Sequence, residues 1–382
     1  MRTAFIRPGE TAGSRNAEDR PPVERRNIKD CSIDEISRIV AELGERRHRV
    51  PQILKWLYQK GSAGFSEMTT LPASLRRLLD ERFVITSLRL IDSVASAADA
   101  SQKFLLECDD GARIETVLME SAGHETLCLS SQVGCGLGCI LCRTGAGGFE
   151  RNLRSDEILN QIVFVKKGYL VPRRRFNIVF MGMGEPLLNL PNVIKALEII
   201  NAEAAFALGE KRVTLSTIGI PDAIRELAET PCKFGLAVSL NATTEPLRRA
   251  LMPASRDLRE TLSAAHAFAT RRKTRVTIEY VLIDHVNDSP QDARRLAKLT
   301  AGKPFKINII PFNEWEGCPY RRPSEDRIER FIRPLLPTAP AVTVRRSQGG
   351  DISAACGQLG GRPLLREHRR REGPQARRGS RG

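Results

Sequence analysis

Residues 134–148, GCGLGCILCRTGAGG, gather three cysteines into one short stretch of a chain that has nine in 382 residues. Cys135, Cys139 and Cys142 are separated by three and then two residues. Gly134, Gly136 and Gly138 permit the tight, positive-φ turns that let three thiolates of one loop converge on a single soft metal centre. A structural zinc site takes four ligands, typically as paired Cys or Cys/His units, and no second pair stands near this one. His124, the only nearby histidine, falls on the wrong side of an expected strand. A cubane iron–sulfur cluster held by three cysteines instead leaves its fourth iron open to a substrate or cofactor, and this assignment ranks above zinc. Packing of the three cysteines as small apolar residues is disfavoured, because a glycine-rich loop offers little apolar surface against which to bury them.

Length and composition set the frame. The chain is long enough for two or three domains at roughly 100 to 200 residues each. No apolar run approaches the roughly 20 residues needed to cross a bilayer, and the N-terminus lacks the apolar segment of a signal peptide, so a cytoplasmic protein without membrane association is expected. Cysteines without a regular framework argue for reduced thiols in metal or redox chemistry over a secreted disulfide scaffold. The net charge of +15 suits a polyanionic partner. Residues 362–382 hold eight arginines against Glu367 and Glu372, a net of +6 that leaves +9 for the rest. That tail is expected to be disordered, so the charge supports nucleic-acid binding without locating it.

Residues 1–27 are polar and aperiodic, the pattern of a flexible extension. From Asp34 three amphipathic segments, IDEISRIVAELG, PQILKWLYQKG and LPASLRRLLDERF, predict a small helical domain over 28–86. Trp56 and Tyr58 beside Lys55 and Lys60 form a candidate RNA-facing patch, although Trp56 suits the core stripe of its helix better. Over 87–125 the period shortens toward two, with Asp109, Asp110 and Gly111 as a turn, predicting a β-hairpin linker. From Thr126 to 361 strands alternate with helices: TLCLSSQVG, FNIVFMGMG, RVTLSTIG, FGLAVSLN, RVTIEYVLI and FKINIIPFN. Six mostly apolar strands with intervening helices predict an α/β fold, an open six-unit partial (βα) barrel. Sites in such barrels sit at the C-terminal ends of the strands. Gly184 and Glu185, Ser216, Ser239 with Leu240 and Asn241, and Asn313 fall there and are candidates for cofactor binding.

The CxxxCxxC spacing after a strand resembles the signature of the radical S-adenosylmethionine (radical SAM) enzymes. The longer run LCLSSQVGCGLGCILCRTGAGGFERNL resembles the RlmN/Cfr family of RNA adenine methyltransferases, and the resemblance spans roughly 28–361. It implies a radical SAM barrel, one [4Fe-4S] cluster on Cys135, Cys139 and Cys142, and SAM as both methyl donor and radical source. It further implies that the N-terminal domain helps hold folded RNA, that Cys356 becomes methylated, that Cys128 is a second redox-active cysteine and that Glu115 is a proton acceptor. Cys31, Cys108, Cys232 and Cys318 match no such role. Four positions depart from the family pattern: Leu141, Arg143, Asn241 and Gln348.

The activity implied by the resemblance is methylation of an adenine carbon in 23S rRNA and also tRNA, C2 favoured and C8 the alternative. One SAM methylates Cys356; a second, cleaved at the open iron, generates the radical that activates that methyl group for addition to adenine. Cys128 then attacks the Cys356 sulfur, releasing product and leaving a disulfide. The implied partners are RNA and an electron donor such as flavodoxin or ferredoxin, with the enzyme a monomer. Lys166, Lys167 and the run Arg173 to Arg175 are further candidate RNA contacts. The rival from another class is a zinc-dependent RNA-binding protein without catalysis.

Overall fold

Apolar strands rich in β-branched residues, such as Val276–Leu282 and Phe305–Pro311, are buried almost throughout, as strands covered on both faces must be. They belong to a ten-stranded sheet in a computed structural model that describes residues 25–360 except 122, 171–174, 338 and 340. The extension over 1–24, Arg173, Arg174 and the 362–382 tail lie outside the described residues.

Six parallel strands make the barrel: His124–Cys128, Arg175–Phe180, Val213–Thr217, Gly235–Ser239, Val276–Leu282 and Phe305–Pro311, each hydrogen-bonded to the next. A seventh, Val342–Val344, continues the parallel order beside Phe305–Pro311. The first strand is shorter than expected. It ends at Cys128, and Gln132–Gly134 pairs antiparallel with Phe149–Asn152 in a separate ribbon.

The hairpin around Asp109–Gly111 is present, joining Gln102–Glu107 to Arg113–Ser121. Its strands do more than link. With Arg89–Ala95 they extend the barrel sheet by three antiparallel strands, Arg113–Ser121 pairing directly with His124–Cys128. The outermost pair carries a register irregularity between Leu90 and Asp92.

Helix ends follow local chemistry. Ser289 accepts from the Asp292 N–H to start Pro290–Thr300, and Pro290 fits the first helical turn, where its missing N–H costs nothing. In the N-terminal domain Ser32 and Glu35 form a reciprocal capping box on Ile33–Glu42. Helix Arg49–Leu54 passes into a π-helical turn, Lys55–Lys60, which ends at Gly61. Trp56 packs partly against the core, donates to the Thr70 hydroxyl at 2.8 Å and lies 3.4 Å beneath the Lys60 ammonium. Residues 25–27 are ordered, contrary to a flexible extension reaching 27, because Arg26–Asn27 pair in parallel with Phe83–Val84.

Polar contacts seat this domain on the barrel helix Ser155–Gly168. The Asn27 amide donates to Asp156 at 2.7 Å, the Lys29 ammonium to Asn160 Oδ1 at 2.8 Å, and the Ser155 hydroxyl to Asp30 at 2.8 Å.

Candidate active site

The cysteine loop is stapled at its base. Gly134 has φ +75°, and a Cβ there would lie 2.1 Å from the Gly148 carbonyl oxygen, which accepts the Cys135 N–H at 2.7 Å. Gly138 shares the positive φ; Gly136 does not. The loop is less bare than its glycines imply. Leu137, Cys139 and Leu141 pack against an apolar cluster that includes Met252, Ile283 and Phe312, so the loop has an apolar seat that the glycine count conceals.

All three cysteines line one cavity. Burial is the main reason their thiols are pushed up, Cys135 to about 11 and Cys139 to about 12, and for Cys139 the neighbouring Cys142 and Cys135 add to it. Burial also raises Cys142. Thiols that repel one another as anions suit a cationic centre, which stabilises the deprotonated form. Among the described residues, a second grouping of possible metal ligands, its donor atoms within 4.8 Å of one another, is Cys108, Asp110 and Glu157. The three loop sulfurs, which share one cavity and fall one short of the four donors of a closed zinc site, fit an iron–sulfur cluster better than a structural zinc. The Cys108 grouping is already occupied by Arg151, which binds both Asp110 and Glu157.

The strand ends bring Gly184, Glu185, Ser216, Ser239, Asn241 and Asn313 to the same cavity. Gly184 has φ +98° and presses on Gln132, where a Cβ would lie 2.5 Å from the Gln132 Cβ. Glu185 is buried; its carboxylate accepts the N–H groups of Leu187 at 3.0 Å and Ile218 at 2.8 Å, tying the second strand's loop to the third's. Burial raises its carboxyl. Ser216 donates to Glu279 at 2.8 Å. Asn241 takes a left-handed φ of 57°, accepts the Val281 N–H at 2.9 Å and donates to Met252 Sδ. Leu240 is fully buried and lies outside the cavity lining; its carbonyl accepts from the buried Arg248.

Cys356 lines this cavity too, on a segment beyond the last strand. Asn313 donates to the Cys356 carbonyl at 3.1 Å, the Gly357 carbonyl accepts the Arg143 N–H at 2.7 Å, and the Leu359 carbonyl accepts the Thr144 hydroxyl at 2.7 Å. The segment therefore rests on the cysteine loop itself. On its other side Cys356 lines a smaller pocket with Cys128, Met181 and Arg345. Both thiols are free, as are the other seven cysteines. Burial pushes the Cys128 thiol up to about 12, with the charge of Cys356 adding and Arg345 opposing.

Glu115 falls outside both pockets. It is buried, paired with Lys103 at 3.0 Å, and accepts the Gly360 N–H at 2.6 Å. Two residues of the site escape a reading of the sequence. Glu279 is a buried acid lining the cavity, signalled by one carboxylate in the apolar strand VTIEYVL. Arg345 follows the last strand without a pattern to mark it; the charge of Cys356 raises its guanidinium, with Glu279 and Cys128 contributing.

Comparison with known proteins places this geometry in a family. Residues 129–297 match the radical SAM superfamily, and residues 26–85 match the ribosomal RNA large subunit methyltransferase N-terminal domain. The dual-specificity RNA methyltransferase RlmN of Geobacter sulfurreducens is 46% identical over 338 residues, covering 88% of this chain and 92% of that protein. Its namesake in Geotalea uraniireducens is 43% identical, covering 89% and 98%. The crystal structure of a radical SAM methyltransferase from Sphaerobacter thermophilus superposes with a TM-score of 0.82 at 38% identity, covering 88% of this chain and all of that one. With its cysteine loop, barrel and N-terminal domain all matched, this chain belongs to the RlmN family of radical SAM RNA methyltransferases.

Proposed function

We propose that the protein methylates an adenine carbon of RNA, C2 in preference to C8, in 23S rRNA and tRNA, using two SAM molecules and Cys356 as methyl carrier. The observation that carries this reading is that Cys356 lines the cavity of Cys135, Cys139 and Cys142 on one side and the pocket of Cys128 on the other. The relatives' description as dual-specificity RNA methyltransferases supports two RNA classes.

A [4Fe-4S] cluster on the three loop cysteines supplies, when bound, the electron that opens SAM reductively at an iron left free by the protein. Gly184 offers bare backbone beside Glu185 for the amino-acid end of SAM; Ser239 and the Ser216 oxygen offer short polar groups around it, and Asn241, its amide held by Val281 and Met252, shapes the wall beside them. Leu240 backs that wall, and Asn313 holds the carrier segment in place. Adenine C2 is a poor nucleophile, so direct polar transfer from the sulfonium is closed to it. Cys356 answers this by accepting the methyl group at Sγ, which needs only a deprotonated sulfur in line with the donor. Once the activated carbon has joined the base, Glu115 accepts the proton from the adenine carbon; its bond to the Gly360 N–H must open for this. The adduct gives up its unpaired electron to an external one-electron carrier, the Cys128 thiolate attacks Cys356 Sγ and breaks its bond to the transferred carbon, that carbon takes a proton to become the methyl group, and a two-electron reductant returns the disulfide to two thiols. The N-terminal domain holds the RNA, a flavodoxin or ferredoxin delivers electrons, and the monomer works in the cytoplasm. No described helix is long and apolar enough to cross a membrane.

Mass spectrometry of rRNA and tRNA from a deletion strain and its parent tests the substrate and the atom together. Loss of 2-methyladenosine from both RNAs is expected. Loss of the 8-methyl isomer instead would reassign the position, and unchanged RNA would overturn the reading.

A further inference from the structure

Lys103 and Glu115 lie on neighbouring antiparallel strands, on the same face. Lys103 stands opposite Val117 and Glu115 opposite Leu105, a diagonal pair. Both side chains are nearly inaccessible, 4% and 2% exposed, and their charged ends meet at 3.0 Å. Each also reaches the carrier segment. The Lys103 ammonium donates to the Ser353 carbonyl at 3.0 Å, and the second Glu115 oxygen accepts the Gly360 N–H at 2.6 Å. Cys356 sits between those two attachment points.

We infer that Lys103 is a positioning residue: with Glu115 it forms a buried ionic clamp that fixes both ends of the Cys356 segment to the antiparallel strands. A buried ion pair is expensive to desolvate, and these charges are satisfied by main-chain groups of one segment as well as by each other, which makes the arrangement specific. The clamp holds the segment at Ser353 and Gly360, and from the cysteine loop Arg143 and Thr144 hold Gly357 and Leu359. Held by the strands and by the loop, Cys356 keeps one position relative to the sulfonium it must meet. This inference rests on the carrier role proposed for Cys356.

The test compares the reconstituted full-length enzyme with Lys103→Met and with Lys103→Met/Glu115→Gln, which removes both charges and so avoids a lone buried carboxylate. Hydrogen exchange of the amides over 353–360 should quicken roughly tenfold in both variants, the scale expected for losing one charge-assisted bond, while the barrel strands stay protected. Methyl transfer from SAM onto Cys356 should slow in kcat with the KM for SAM unchanged, and reductive SAM cleavage in Lys103→Met should persist. Unchanged exchange over 353–360 in the folded double variant would overturn the clamp. The carrier reading fails separately, by persistence of RNA methylation in Cys356→Ala, and that result leaves the exchange measurement untouched.

Discussion

Cys128 and Cys356, far apart in the chain, line one small pocket in which Arg345 faces both. Burial holds the Cys128 thiol at about 12, so at neutral pH it is protonated and its thiolate fraction grows about tenfold per pH unit. The release step should therefore accelerate between pH 7 and 9 by up to about tenfold per unit. Rapid-quench measurement of product release from the enzyme–RNA adduct checks the slope. Arg345→Ala removes the one charge that lowers Cys128, so it should slow release further at fixed pH.

Cys356→Ala should abolish RNA methylation while SAM cleavage continues, because the cleavage site proposed above draws on the cysteine loop and the strand ends that line the cavity. Product analysis for methylated adenosine and for 5′-deoxyadenosine in the same reaction separates the two. Loss of both would mean that the substitution had collapsed the cavity.

Gly134→Ala should impair cluster loading. A Cβ would meet the Gly148 oxygen at 2.1 Å, and the backbone there has φ +75°, so the ribbon stapling the loop must open. Left-handed strain alone costs about 1 kcal/mol, and the clash adds to it. Iron and sulfide content after anaerobic reconstitution should fall below the parent value, whereas Gly148→Ala, with open space at its Cβ, meets only the backbone strain.

Lys29 gives a pH signature to the junction between the N-terminal domain and the barrel. Burial lowers its ammonium to about 8, with Asp156 opposing and Lys167 assisting. The unfolded chain binds this proton up to its ordinary value of 10.5, so between 8 and 10.5 the unfolded state carries more protons and stability rises with pH. From pH 8 to 9.5 the gain is on the order of 2 kcal/mol. Denaturant unfolding of the parent and of Lys29→Met should show this difference in slope, whatever other groups contribute to both.

Where chemistry is local, the residues are legible in the sequence. Ser289 and Pro290 mark a helix start, six apolar runs mark six barrel strands, and the cysteine spacing marks a loop that lines one cavity. Long-range partnerships are not. Lys103, in QKFLLE, has the look of a solvated strand residue, yet it bonds to Ser353, which no period in either segment announces. Asn241 has the look of a ligand-facing amide; its side chain is engaged by Val281 and Met252, and asparagine there also suits the left-handed backbone, which a short polar side chain tolerates. The seventh parallel strand, three residues long, is too short to carry a pattern.

Among the described residues the sheet is open, so Arg89–Ala95 and Val342–Val344 each have a side without a paired strand. At one border the outermost strand is broken in register after Leu90 and presents Arg89 and Asp92; at the other, Val342–Val344 supplies only three residues. Neither border is a long, flat template on which a second copy could add its own strand, and charges on one of them oppose such zipping. Among the described residues, then, a strand added at either border would meet a broken register at one and three residues at the other.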